Sequence, residues 1–306
     1  MIEAHELTKR FGDKHAVGGV SFTVRPGVVT GFLGPNGAGK STIMKLALGL
    51  QRPTSGSVSV NGSQYTRSSA PMRDVGALLD ASWAHPRRSA RNHLRAIGLS
   101  QGYGRSRVDQ VLEQAGLASV AERNVGTFSL GMKQRLGIAT ALLGDPATLI
   151  LDEPVNGLDP DGVIWIREFL RELAAEGRTV LLSSHLMSEM QQTADRIIVI
   201  GRGAILADGE LQDIIAGGTE ASVIVRSPRL KEFADVLQRA GAGFSVEDGT
   251  IRVSGASAAD VGDLAAHVGI PLHELRSSER SLEDAYRQLV GDSIEHGAGA
   301  RTELQR

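Results

Sequence analysis

The chain has 306 residues, a formal net charge of −2, 41% hydrophobic and 22% charged residues, and no cysteine. That make-up belongs to an ordinary globular protein with room for one large domain and a small one. The near-neutral balance argues against a nucleic-acid-binding face, and the missing cysteines exclude disulfides and thiolate zinc sites and fit a reducing compartment.

Short alternating runs open the chain: Ile2 to Lys9, Val20 to Val24 and Ser57 to Asn61, the last ending in an Asn61-Gly62 turn. They predict an antiparallel sheet. Between them an apolar run (Val28, Val29, Phe32, Leu33) leads into Gly34 to Thr42 and then a helix-like segment, Ile43 to Leu50. From Arg91 to about Ala121 the apolar spacing is helical, broken at Gly102-Tyr103-Gly104. A helix is expected from about Gly131 to Leu143, a buried strand at Leu149–Leu151, a helix from Gly162 to Ala175 and a strand at Thr179–Leu182. A helix at His185–Thr193 and a strand at Arg196–Ile200 follow. This alternation predicts a mainly parallel α/β sheet.

Gly217-Gly218 reads as a linker. Past it come a strand (Ser222–Arg226), a helix (Leu230–Ala240) and a hairpin of Phe244–Glu247 and Thr250–Val253 turning at Asp248-Gly249. A helix (Ala258–His267), a strand (Pro271–Leu275) and a final helix (Leu282–Leu289) complete a βαββαβ order, which fits a small ferredoxin-like unit. The expected domains are 1–217, with a helical subdomain at about 81–140, and 218–291. Residues 292–306 read as a flexible tail.

Gly34-Pro35-Asn36-Gly37-Ala38-Gly39-Lys40-Ser41-Thr42 carries the most chemistry. Strand, glycine-rich loop and helix in that order form a phosphate-binding loop. The glycines let backbone N–H groups turn toward phosphate oxygens, and the helix adds its positive dipole end. Lys40 is expected to reach the β- and γ-phosphates of a nucleoside triphosphate, and the Ser41 hydroxyl to face Mg²⁺. Farther on, Leu149-Ile150-Leu151 ends in Asp152 and Glu153. Ligands of a parallel sheet lie at the carboxyl ends of its strands, so Asp152 is expected to hold Mg²⁺ and Glu153 to polarise water. Ser183-Ser184-His185 ends the next strand. Either serine can cap the following helix, and His185 is expected to donate to the γ-phosphate. Ser129 can cap the helix at Leu130-Gly131-Met132, where Gly131 admits an anion.

Taken in order, Gly34–Thr42, Phe128–Arg135, Leu149–Glu153, Asn156-Gly157-Leu158-Asp159-Pro160 and Ser184-His185 resemble the nucleotide-binding subunit of an ABC transporter over about residues 1–217. The resemblance implies an ABC-type P-loop NTPase: a mainly parallel sheet core, an antiparallel β subdomain and a helical subdomain, here with a small α+β C-terminal domain. It implies ATP and Mg²⁺ as ligands, and a homodimer in which Ser129, Leu130, Gly131 and Met132 complete the ATP site of the opposite subunit. Asp159 falls in the loop that crosses that interface. Phe11 matches the aromatic that stacks on adenine, the other reading being a core aromatic of a small sheet; Val17 is likewise assigned to the ATP site.

Two positions depart from the pattern. Leu130-Gly131-Met132 stands where Gly-Gly-Gln is usual, and Asp80 stands where a glutamine senses Mg²⁺ and water. A carboxylate can replace an amide oxygen on Mg²⁺ but adds negative charge beside the triphosphate. The C-terminal unit, ending in Ser281-Leu282-Glu283-Asp284-Ala285-Tyr286, resembles the extension on ATPases of ABC-2-type exporters such as the daunorubicin-resistance type.

The implied activity is ATP hydrolysis powering export of a drug, antibiotic or lipid. The partner is a polytopic membrane permease, placing this chain at the cytoplasmic face of the membrane. Met1 to Glu6 lack the basic start and apolar core of a signal peptide, and no apolar run approaches the roughly 18–20 residues that span a bilayer. Any membrane role is therefore expected to be shared with another chain. Trp83, Pro86 and Leu94 are candidate permease contacts or helical-subdomain core. The alternative class is a soluble ABC ATPase with a regulatory or nucleic-acid-processing role, but long coiled coils, cysteine zinc modules and a second ATPase unit are all missing from the sequence.

Overall fold

A computed structural model describes residues 1–81, 83–217, 222–247, 249–278 and 281–289. The expected tail at 292–306, Gly218 of the linker and Asp248 of the hairpin turn lie outside the described residues. The chain divides into two compact units between Leu211 and Gln212.

In chain order the first unit begins β1 (Ile2–Phe11), β2 (Lys14–Val24), β3 (Val29–Leu33), α1 (Lys40–Ala47), β4 (Ser55–Val60), α2 (Pro71–Asp74) and β5 (Val75–Leu78). Three helices follow: α3 (Ala90–Ser100), α4 (Arg105–Gln114) and α5 (Leu130–Leu142). Then come β6 (Thr148–Leu151), α6 (Pro160–Ala175), β7 (Thr179–Ser184), α7 (Met187–Thr193), β8 (Arg196–Gly201) and β9 (Ala204–Glu210). The helix α8 (Leu211–Gly217) spans the division.

Strands β2-β1-β4 form an antiparallel sheet, and β5-β6-β7-β3-β8-β9 form the core sheet, parallel except for β9. Strands β3, β6 and β7 are buried along their whole length, as the continuous apolar runs of a parallel sheet covered on both faces require. The two sheets share one core, in which Phe22 of β2 meets Phe32 of β3 edge to face at 5.2 Å. Ser89 caps α3 by accepting from the Asn92 amide at 3.3 Å, and the Gly102 break separates α3 from α4 as the spacing predicts. Leu94 is fully buried, so it is core of the helical subdomain rather than a surface contact; Trp83 and Pro86 are exposed.

The second unit contains β10 (Ser222–Arg226), α9 (Leu230–Arg239), β11 (Gly243–Glu247), β12 (Thr250–Ser254), α10 (Ala258–His267) and β13 (Glu274–Ser278), with residues 282–289 helical. Its sheet is antiparallel in the order β11-β12-β10-β13, the ferredoxin-like arrangement, closed over a core around Phe233, Ile251 and Val253. A capping box of Ser257 and Asp260 starts α10. The last strand begins three residues later than its sequence suggests, because Pro271 has no N–H to give a ladder. Among the described residues no helix is long and apolar enough to cross a membrane.

Candidate nucleotide site

Strand register sets the site. Leu33, the last residue of β3, pairs with Ser184 of β7, and Leu151, the last of β6, pairs with Leu182. Strand β6 thus stops two residues short of the end of β7, so Asp152 and Glu153 run on beside it, line one cleft with the loop after β3, and meet His185 through Glu153.

The loop after β3 is shaped by glycine. Gly34 packs so closely that an added Cβ would lie 2.2 Å from the Ile200 carbonyl oxygen. Gly39 has φ of 117°, and a Cβ there would lie 2.7 Å from the Ala16 carbonyl oxygen. It leads directly into α1, whose first residue, Lys40, is buried. The Lys40 ammonium turns back over the loop, donating to the Gly34 carbonyl at 2.6 Å and the Pro35 carbonyl at 3.4 Å. Burial pushes Lys40 below the ordinary lysine value, and Glu153 and Asp152 nearby act in the opposite direction. An ammonium held by two carbonyls beside two carboxylates remains available to a polyanion that enters the cleft.

That cleft, of about 320 Å³, is lined by the loop from Pro35 to Thr42, by Asp152 and Glu153, and by Phe11, Lys14 and Ala16. Phe11 is 48% exposed with the Lys9 ammonium 5.0 Å from its ring centre, so it is a surface platform and not a core aromatic. Val17 does not line the cleft. It is fully buried in the core, and its neighbours Ala16 and Lys14 hold the lining positions, because alternate residues of β2 face opposite sides.

The carboxylates are tightly placed. The Asp152 amide donates to the Leu78 carbonyl at 2.7 Å, continuing the β5–β6 ladder. Glu153 adopts φ of 51°, uncommon for a side chain with a Cβ. Its amide donates to the Ser183 hydroxyl at 2.9 Å, and its carbonyl accepts from Gln134 Nε2 at 3.0 Å. Its Oε2 lies 2.9 Å from His185 Nδ1. The Ser183 hydroxyl donates to Asp152 Oδ1 instead of capping a helix; Ser184 accepts from the Leu186 amide at 2.9 Å, and α7 starts only at Met187.

The donor set suits Mg²⁺. Among the described residues no cluster of three or more His, Cys, Asp or Glu could hold a metal. The Ser41 hydroxyl and the Asp152 carboxylate are both in the cleft wall, and Mg²⁺ takes one or two protein oxygens together with substrate phosphates. Asp80 is exposed just past β5 and is not part of the cleft wall.

The other predicted residues sit apart from this cleft. Ser129 caps α5, accepting from the Met132 amide at 3.2 Å, and Leu130 beside it is 60% exposed. Gly131 has no room for a side chain, since a Cβ would come within 2.8 Å of the Gly157 carbonyl oxygen. Asp159 caps α6 through the Gly162 amide at 2.9 Å. Arg135 joins α5 to α6, with its guanidinium 4.3 Å from the centre of the Trp165 ring and Nη1 on the Ala115 carbonyl at 3.2 Å. Lys14, Ala16 and Gln134 belong to the site without being singled out by any motif; for Gln134 the signal is a polar residue on the buried face of a helix.

The ABC transporter family profile matches residues 17–156, and a domain of unknown function (DUF8746) matches 221–283. An ABC transporter ATP-binding protein, YcbN of Bacillus subtilis (strain 168), is 36% identical over 96% of this chain and 98% of its own length. The bacitracin transport ATP-binding protein BcrA of Enterococcus faecalis is 35% identical over 95% of this chain and 96% of its own. A solved structure of an ATP-binding subunit of an ABC transporter superposes with a TM-score of 0.64 at 27% identity, covering 71% of this chain and 92% of that one. This chain therefore belongs to the ATP-binding proteins of ABC transporters and is an ATPase.

Proposed function

We propose that the chain powers an exporter of the ABC-2 type, carrying a drug, antibiotic or lipid through a separate polytopic permease on whose cytoplasmic side it works as a homodimer. The observation that carries the catalytic part is the shared register of β3, β6 and β7, which sets Lys40, Asp152 and Glu153 around one cleft with His185 on Glu153. The export part is supported by full-length likeness to a protein named for bacitracin transport.

In this reading ATP lies along the cleft with its adenine on Phe11 and its phosphates against the amides of Asn36 to Thr42. Lys40 and His185 bind phosphoryl oxygens. Ser41 and Asp152 would hold Mg²⁺, which would neutralise part of the phosphate charge. Glu153 orients and deprotonates water for in-line attack, aided by the His185 contact that fixes its carboxylate. Ser129 to Met132 complete the partner's site, and Asp159 faces the partner. Closure then depends on contacts that exist only with ATP present, so hydrolysis releases the dimer.

The test is Glu153→Gln. The variant is expected to bind ATP, to elute as an ATP-dependent dimer, and to lose turnover by about 10²–10⁴-fold. Hydrolysis at the wild-type rate would remove Glu153 from the role of base. Purification from detergent-solubilised membranes is expected to bring a polytopic chain with it; a purely soluble dimer would favour the regulatory or nucleic-acid-processing alternative.

A further inference from the structure

The deepest side chain in the site belongs to none of the roles above. Ser183 is fully buried in β7, and its hydroxyl joins the two carboxylate residues. It donates its single proton to Asp152 Oδ1 and accepts the Glu153 amide at 2.9 Å. A hydroxyl has one proton and two lone pairs, so this arrangement fixes its direction. On the far side, buried Gln134 holds the Glu153 carbonyl at 3.0 Å. The peptide units on both sides of Glu153 are thus clamped, one by the sheet and one by α5, at a residue with φ of 51°. Left-handed backbone at a residue with a Cβ persists only where its surroundings over-determine it.

We infer that Ser183 is a positioning residue for hydrolysis, setting the distance between the Asp152 carboxylate and Glu153, with Gln134 as the second clamp. The Asp152 oxygen that takes the Ser183 proton is turned into the sheet, which leaves its other oxygen for the cleft. The Glu153 amide, anchored on the same hydroxyl, cannot move without moving Asp152. Ser183 is fully buried and is not part of the cleft wall, so its effect belongs in the chemical step and in metal affinity, not in ATP affinity. This inference rests on the catalytic reading of Asp152 and Glu153 proposed above.

The experiment uses the full-length chain and three variants. Ser183→Ala removes the hydroxyl, Ser183→Cys keeps a similar volume with a weak donor, and Ser183→Thr restores the hydroxyl. Binding of a fluorescent ATP analogue without metal is expected to change less than about twofold in all three, since the phosphate loop is untouched. The Ala and Cys variants are expected to lose about 10–100-fold in kcat, the usual cost of removing a group that orients a metal ligand. They are also expected to need several-fold more Mn²⁺ for half-saturation, read by electron paramagnetic resonance with the non-hydrolysable analogue bound. Thr is expected to recover most of both. Wild-type kcat and Mn²⁺ affinity in a folded Ala or Cys variant would overturn the inference, as would equal loss of metal-free analogue binding and kcat, which marks a purely structural role. Failure of the underlying reading looks different: wild-type turnover would then survive Glu153→Gln.

Discussion

The Nδ1 atom of His185 lies 2.9 Å from Oε2 of Glu153, although 32 residues separate them in the chain. The contact turns the carboxylate toward β7 and leaves the opposite ring nitrogen of His185 free of Glu153. Both ring nitrogens donate only in the protonated imidazole, and in that form His185 fixes the proposed base through Nδ1 and presents its other N–H to a phosphoryl oxygen. His185→Ala is expected to lower kcat by about 10²–10³-fold, the usual cost of one transition-state donor. ATP affinity should change by only a few-fold. Steady-state kinetics paired with equilibrium ATP titration separates the two, and a large loss of affinity at unchanged kcat would refute the role.

Gly39 sits at φ of 117° against the Ala16 carbonyl. Gly39→Ala is expected to add about 1–3 kcal/mol of backbone strain and to push the loop away from β2. Nucleotide binding should be lost while the rest of the unit stays folded. Circular dichroism with ATP titration checks this; normal ATP binding would show that the loop can relax elsewhere.

His93 in α3 is buried under Trp83, with ring centres 4.7 Å apart, and among the described residues neither of its ring nitrogens has a hydrogen-bond partner. Burial, aided by the Arg88 charge, holds its pKa below the ordinary 6.5. Below pH 6.5 the unfolded chain therefore binds a proton that the folded chain refuses. Stability must fall as pH drops from 6.5 toward the depressed folded value. His93→Leu is expected to flatten that slope and to match or exceed wild-type stability at pH 7.5, since it removes two buried polar atoms without partners. Urea titrations at pH 5.5, 6.5 and 7.5 measure both slopes, and identical slopes would discard this account.

Asp80 is exposed beyond the end of β5 and does not line the cleft. Asp80→Gln is expected to retain ATPase activity and to alter chiefly its stimulation by the permease. Assays of the chain alone and of the reconstituted complex distinguish the two effects. Complete loss of ATP binding would give Asp80 a different role.

The sequence was most legible where one local segment carries its own chemistry. The Gly34–Thr42 loop, the Asp152-Glu153 pair at the end of an apolar run and the Ser129 cap each follow from neighbouring residues. The ferredoxin-like order of the second unit was readable for the same reason. Strand β2 was harder: it begins at Lys14, but Gly18 and Gly19 interrupt its alternation and hide its first half. Strand β9 and helix α8 lack a clear period in the sequence as well. Val17 was misplaced because one step along a strand reverses the side that a residue faces. Ser183 and Gln134 show the deeper reason. Each reaches Glu153 across 30 and 19 residues, and only folding defines that proximity.

The shared register of β3, β6 and β7 carries one more consequence, for how this protein tolerates change. An insertion in a connection, such as the stretch between β5 and α3 or between α4 and α5, leaves the three ladders in step and the reacting groups in place. A single residue added inside β7 would bring a different residue opposite Leu151, carry Ser183 off Asp152 and send His185 away from Glu153. Length variation among descendants of this chain should therefore collect in its surface connections, while these three short strands keep their residue count.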